Sequence, residues 1–271
     1  MEKDLLRKVQ LAQLEIVKEI KRVCDENNIQ YFLAFGSLIG AVRHKGFIPW
    51  DDDMDLGMVR SEYERFLEIA PKKLKPEYFL QTWYSDPAYP LPFAKVRRRG
   101  TLFLESKGAQ LKENGFFVDI FPYDFVPATE AEKNAVDKQR VDLCRTMLMK
   151  CKFTPWMEND KIIWKKRIGY FYYQLKALFA SSQELAKKHD TLVSGFAEND
   201  KMFWQDGTAE NYTVYRSWCE DLVELEFEGE WFKGPREYDA VLRDYYGDYM
   251  QFPPESEREN RHQIVAVDFG E

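Results

Sequence analysis

Four aspartates crowd the entrance to an apolar run in Trp50-Asp51-Asp52-Asp53-Met54-Asp55-Leu56, and no other feature restricts the fold of this chain so tightly. Carboxylates seldom gather at the mouth of a buried strand without a compensating cation. On a strand running from Asp53 to Val59, side chains two apart point the same way. Asp53 and Asp55 then share a face, with Cα atoms roughly 6–7 Å apart, within reach of one hard cation. Asp51 joins them if the strand starts early. Mg2+ or Mn2+ fits such a pair, because these ions keep some waters and accept phosphate oxygens as their remaining ligands. A solvated acidic turn is the plainer reading. A calcium loop is a sharper rival, since Asp51, Asp53, Asp55 and Glu62 match its acidic positions, but Leu56 stands where that loop requires Gly and Pro49 precedes it in place of a helix.

The segment just upstream supplies a phosphate cradle. Tyr31 to Phe35 reads as a short buried strand running into Gly36-Ser37, and Ser37 to Arg43 continues with a helical pattern. Gly plus Ser at such a junction is also an ordinary turn and cap. Its nearness to Asp53 favours the functional use, in which backbone amides and the Ser37 hydroxyl bind phosphate oxygens. Asp119, within Phe116-Phe117-Val118-Asp119-Ile120-Phe121, is a carboxylate among apolar neighbours and needs a partner if buried. Beside the metal pair it becomes a third acid, holding metal or orienting an attacking hydroxyl; on an edge strand it would face water. Among the flanking basic residues, which include His44, the expected diphosphate partners are Arg43, Lys95 and Arg97, the last two sharing a strand face.

Periodicity organises the rest. An amphipathic helix over residues 4 to 27 is expected to brace the core. A capping box at Ser61 and Glu64 predicts a helix from Glu62 to about Ala70. Strands are expected at Tyr78 to Tyr84, Phe93 to Arg98, Leu102 to Glu105 and Phe116 to Phe121, forming a mixed sheet. Long helical segments follow from Glu130 to Lys152 and from Asp160 to Ala197, then strand-like residues from Tyr212 to Trp231 and a helix from Pro235 to Tyr246. The fold class is α/β (α+β), with residues 1–128 as catalytic core and residues 129–271 as a mainly helical region packed on it. The polar tail carries Arg258, Arg261 and His262 and either frays or folds back over an anionic site.

With 39 Lys and Arg against 46 Asp and Glu, the formal charge is −7, which argues against nucleic acid as a partner. Four cysteines without a C-x-x-C pair read as buried thiols. No basic-then-apolar leader opens the sequence, so a cytoplasmic protein is expected. Lys161 to Ala180 interleaves basic and apolar residues; packing on the core is the expectation, with contact at the inner face of a membrane as the alternative.

The run from Phe35-Gly36-Ser37 through Arg43-His44-Lys45-Gly46 to Pro49-Trp50-Asp51-Asp52-Asp53-Met54-Asp55 closely resembles the LicD family, as do Phe117-Val118-Asp119-Ile120-Phe121-Pro122 and Tyr246-Gly247-Asp248-Tyr249-Met250 with Pro253. The resemblance spans nearly the whole chain, although residues 130 to 210 carry none of its motifs. It implies a nucleotidyltransferase-like mixed sheet flanked by helices, with Gly36-Ser37 as phosphate turn, Asp53 and Asp55 as metal pair and Asp119 as third acid. The activity implied is transfer of phosphocholine from CDP-choline, with release of CMP, to a glycan or lipid-linked glycan of teichoic acid or lipopolysaccharide type. A sister enzyme using CDP-ribitol, or a non-catalytic binder, is the alternative. Choline would be held by aromatic faces, with Trp50, Trp83, Tyr84, Tyr89 and Phe93 as candidates.

Overall fold

The computed structural model describes residues 1–106, 108–109, 111–153, 164–204, 212–258 and 262–270, with the backbone alone for 164–167. Arg261 and the first residues of the Lys161 to Ala180 segment therefore lie outside the described residues. Helix α1 (Lys3–Glu26) leads into β1 (Phe32–Leu33), α2 (Phe35–Ile39) and a π-helical turn at Gly40–His44, then β2 (Asp55–Val59) and α3 (Arg60–Lys73). Strands β3 (Tyr78–Gln81), β4 (Ala94–Arg98), β5 (Leu102–Glu105) and β6 (Phe117–Phe125) complete the first half. The second half contains α4 (Glu130–Lys150), α5 (Trp164–Phe179), α6 (Ser182–Val193), β7 (Lys201–Trp204), β8 (Tyr212–Tyr215), α7 (Arg216–Glu220), β9 (Leu222–Phe227), β10 (Glu230–Pro235), α8 (Tyr238–Tyr246) and β11 (Ile264–Asp268).

The main sheet runs β1-β2-β6-β4-β3, with β7 joining β6 and β8 joining β7. Its spine is β6, which reads Phe-Val-Asp-Ile-Phe-Pro-Tyr-Asp-Phe and is buried along almost its whole length, as a central strand covered on both faces must be. Parallel pairing with β2 on one side and antiparallel pairing with β4 on the other flank the Asp119 end of β6, while β7 pairs with its far end at Tyr123 to Phe125. Residues after 129 thus extend the sheet, and β11 returns to pair with β5.

The core is continuous from Val9, Ile16 and Ile20 of α1 through Leu56, Val96, Val118 and Ile120 of the sheet. A second, smaller cluster under the helical region joins Trp83 and Tyr89 to Met147, Cys151 and Leu185, and all four cysteines are buried thiols outside any disulfide.

Four local expectations are corrected. The strand begins at Asp55 and not at Asp53, although the Met54 carbonyl already accepts from the Asp119 amide at 2.9 Å. Helix α3 starts at Arg60 with Val59 as its uncapped N-cap, so Ser61 lies inside the first turn and forms no capping box. Pro71 does not end that helix, which continues to Lys73. The segment expected to be one helix to Ala197 is divided, with α5 ending at Phe179 and Ser181 capping α6 through the Glu184 amide. The Thr129–Glu132 capping box at the start of α4 had no counterpart in the sequence reading.

Candidate active site

The site is assembled where the β1–α2 junction, the entrance to β2 and the start of β6 converge. At the junction Phe35 takes a left-handed backbone, with φ of 44°, a costly conformation for a bulky residue and one held here by its ring packing against Phe121, Trp204 and Tyr245. Gly36 follows. A Cβ there would lie 2.6 Å from Asp51 Oδ2, so the absence of a side chain lets the Asp51 carboxylate settle against the turn. Ser37 is buried, and its Oγ accepts the Asp55 amide at 2.8 Å, tying the turn to the first residue of β2.

Asp55 stands directly beside Asp119 in the parallel pairing of β2 with β6, and Lys95 of β4 stands on the other side of Asp119. Burial, followed by the charges of Asp53, Asp119 and Asp51, holds the Asp55 carboxyl well above the usual carboxylate range, and Lys95 opposes this only in part. Asp119 is raised for the same leading reason, burial, against the pull of the Lys95 charge and hydrogen bond. The Lys95 ammonium lies 2.7 and 2.9 Å from the two Asp119 oxygens and 3.5 Å from the centre of the Phe117 ring. Asp51, Asp52 and Asp53 each bring one carboxylate oxygen within 4.8 Å of the others.

Helix α1 fixes this loop from beneath. The buried Gln10 and Gln13 amides donate to the Asp51 carbonyl at 2.9 Å and the Asp52 carbonyl at 2.7 Å, which turns the expected bracing role into specific bonds. His262 closes the loop from the far end of the chain, its Nδ1 lying 3.0 Å from Asp52 Oδ1 and its Nε2 lying 3.9 Å from Asp53 Oδ2. Burial opposes charge on His262, yet the bond to Asp52 and the nearby Asp53 outweigh it and push its pKa up to about 9.

The oxygens of Asp51, Asp52 and Asp53 lie close enough to share one divalent cation, and Asp55 and Asp119 adjoin this group as further hard-oxygen donors. The fit has a structural mark: the buried Asp52 Oδ2 has no hydrogen-bond partner among the described residues, and burial together with its acidic neighbours raises Asp55.

The remaining sequence-selected residues divide into two groups. Lys95 and Arg97 are both buried; Arg97 donates to Gln81 Oε1 at 2.5 Å and to the Gly115 carbonyl at 2.9 Å, so its guanidinium is committed to the framework while still lining the adjoining cleft. That cleft, of about 350 Å³, also touches His262, Tyr89, Leu148 and Phe153. Arg43, His44 and Trp50 gather on another side with Phe252, which the sequence reading did not single out. Phe252 stacks on His44 at 5.5 Å, meets Trp50 edge-on at 6.0 Å and lies beneath Arg43 at 4.8 Å. The Arg258 guanidinium sits 5.4 Å from the Trp50 ring centre and 5.5 Å from that of Phe252. Burial and the Arg43 charge hold His44 below its usual pKa, in keeping with its Nε2 accepting from Arg43 Nε at 2.9 Å.

The family model described as "LicD/FKTN/FKRP, nucleotidyltransferase domain" matches residues 28–158, which contain β1, the Gly-Ser turn, all five aspartates and Lys95. The lipopolysaccharide cholinephosphotransferase LicD of Haemophilus influenzae is 32% identical over 271 residues, covering 97% of each chain. The chain belongs to the LicD family. Within that family it also matches the ribitol 5-phosphate transferase FKRP of Homo sapiens, at 43% identity over 47 residues, 17% of this chain and 10% of that one. An uncharacterised Rickettsia typhi protein shares 39% identity over 62 residues, 23% of this LicD-family chain and 20% of its own. Among the described residues no helix is long and apolar enough to cross a membrane.

Proposed function

We propose that this LicD-family transferase moves phosphocholine from CDP-choline to a hydroxyl of a cell-surface glycan precursor, of lipopolysaccharide or teichoic acid type, and releases CMP. The observation that carries the reading is the side-by-side pairing of Asp55 and Asp119 next to the Asp51-to-Asp53 loop and the Gly36–Ser37 turn. The whole-length likeness to a protein named as a lipopolysaccharide cholinephosphotransferase supports the choice of alcohol and acceptor.

Asp53, Asp55 and Asp119, joined by Asp51, would hold Mg2+ or Mn2+, which when bound neutralises the diphosphate charge as the reaction proceeds. The chain's own groups do the positioning. Gly36 and Ser37 cradle a phosphate, and Arg43 faces the diphosphate from the aromatic side. Asp119, oriented by Lys95, takes the acceptor hydroxyl's proton as that oxygen bonds to the distal phosphorus; the bond from this phosphorus to the bridging oxygen breaks and CMP departs. Its raised proton affinity suits a base. The box of Trp50 and Phe252 already surrounds a cationic guanidinium, which supports recognition of a quaternary ammonium there once Arg258 moves aside.

Release of CMP from CDP-choline with Mg2+, set against CDP-ribitol and against chelator, tests the reading. Turnover of CDP-choline that stops with chelator is expected. Preference for CDP-ribitol would assign a different alcohol, and no turnover of either would make the protein a binder.

A further inference from the structure

In a chain of net charge −7, the segment from residue 161 to 183 contains Lys161, Lys165, Lys166, Arg167 and Lys176 and not one Asp or Glu. Most of it is α5. That helix packs on α4 through the buried Ala177, through the Lys176 ion pair with Asp142, and through a bond from the Lys150 ammonium to the Ala177 carbonyl at 3.1 Å. Its other side is apolar and open: Ile168, Phe171, Leu175, Leu178 and Phe179 are 60%, 66%, 47%, 74% and 85% exposed. At about 100° per residue these five fall within an arc of about 100°, roughly opposite Ala177, and form a row about 17 Å long.

We propose that α5 lies in the surface of an anionic lipid bilayer, its apolar row inserted among the acyl chains and the basic run Lys165-Lys166-Arg167 at its start complementing the headgroups. A large apolar stripe on a surface helix marks a contact with another apolar phase. The charge decides between occupants. A run of basic residues with no acid among them complements anionic headgroups, and an apolar stripe beside Lys and Arg is the pattern of helices that rest in a membrane interface. The placement also has a use. Ala177 is held by Lys150, two residues along α4 from Leu148, and Leu148 lines the cleft beside Lys95 and His262. Docking through α5 sets the cleft near the bilayer, where a lipid-borne acceptor would present its sugar. The inference stands on the helix alone and does not depend on which alcohol is transferred.

Co-sedimentation of the full chain with vesicles of phosphatidylglycerol and phosphatidylethanolamine, and with vesicles of phosphatidylcholine alone, tests it. Binding to the anionic vesicles, weakened by salt and absent with phosphatidylcholine, is expected. Phe171→Glu combined with Leu178→Glu should reduce binding at least about tenfold, and Lys165→Glu with Lys166→Glu by a similar factor. Melting temperature should not change in the first pair, because both side chains are exposed. Turnover of a soluble acceptor should also persist, which separates failure of docking from failure of the transferase reading. Absence of vesicle binding by the unmodified chain, binding undiminished by Phe171→Glu with Leu178→Glu, or a dimer in light scattering that this pair dissolves without any lipid binding, would each overturn the proposal.

Discussion

Gly36 and Asp51 touch so closely that a single methyl group between them would sit 2.6 Å from Asp51 Oδ2. The atom in its way is the tip of a side chain, which can swing aside, so Gly36→Ala should fold with a melting temperature within a few degrees of the parent. Its cost should fall on cation binding. Titration calorimetry with Mn2+ is expected to show affinity lowered by at least about tenfold, and unchanged affinity would remove Asp51 from the set.

Asp55 and Asp119 are the next test. Asp55→Asn and Asp119→Asn should each lower CMP release by about 10³-fold or more. Without metal, Asp55→Asn should be at least as stable as the parent, since it deletes the most crowded buried acid. The sign follows from its raised pKa: a carboxyl that holds its proton more tightly when folded makes stability fall as pH rises above about 4, the unfolded value. Thermal melts of the metal-free proteins from acid to neutral pH would reveal it, with the parent declining more steeply than the variant.

Lys95 has a different signature. Replacing it by Met leaves Asp119 buried without its cation, and removing one partner of such a pair costs about 3–5 kcal/mol. Urea unfolding should report that loss. Lys95→Arg should recover little of it, because a wider guanidinium does not fit where the ammonium rests 3.5 Å from the Phe117 ring.

Trp50→Ala and Phe252→Ala dismantle the aromatic box. Each should raise KM for CDP-choline about fivefold or more while leaving KM for a neutral CDP-alcohol within a factor of two, given cation–π attractions of about 1–2 kcal/mol. Equal effects on both donors would show that the box does not read charge.

His189, buried beneath Trp83 at 4.9 Å, gives a pH test away from the site. Burial disfavours its charge, but Cys144 and Asp190 prevail and raise its pKa to about 9. A histidine raised from about 6.5 contributes stability that is complete below that value and disappears as pH climbs through the folded value, up to about 3 kcal/mol. Denaturant midpoints should fall between pH 6.5 and 9, and His189→Gln should flatten the curve.

The catalytic half was largely legible in the residues themselves. Apolar runs bounded by Gly and Pro marked β2, β4, β5 and β6 to within a few positions at either end, and an isolated Asp119 among Phe and Val pointed to a partner across the sheet. Strand alternation served less well at Asp51 to Asp53, because those residues form an irregular approach braced by Gln10 and Gln13. Nothing local distinguishes these glutamines from surface ones. Phe252 and His262 were harder still: their partners are remote in sequence, and only tertiary folding sets them against Trp50 and Asp52. The basic character of Arg258 and His262 left the tail either frayed or folded back over an anionic site; His262 reaches the acidic loop itself, and Arg258 the aromatic box.

The bond between His262 and Asp52 spans 210 positions. During synthesis, the acidic loop leaves the ribosome long before the imidazole that secures it. A nascent chain can lay down β1, β2 and β6 and still lack the clasp, so the centre matures only after His262 has been made.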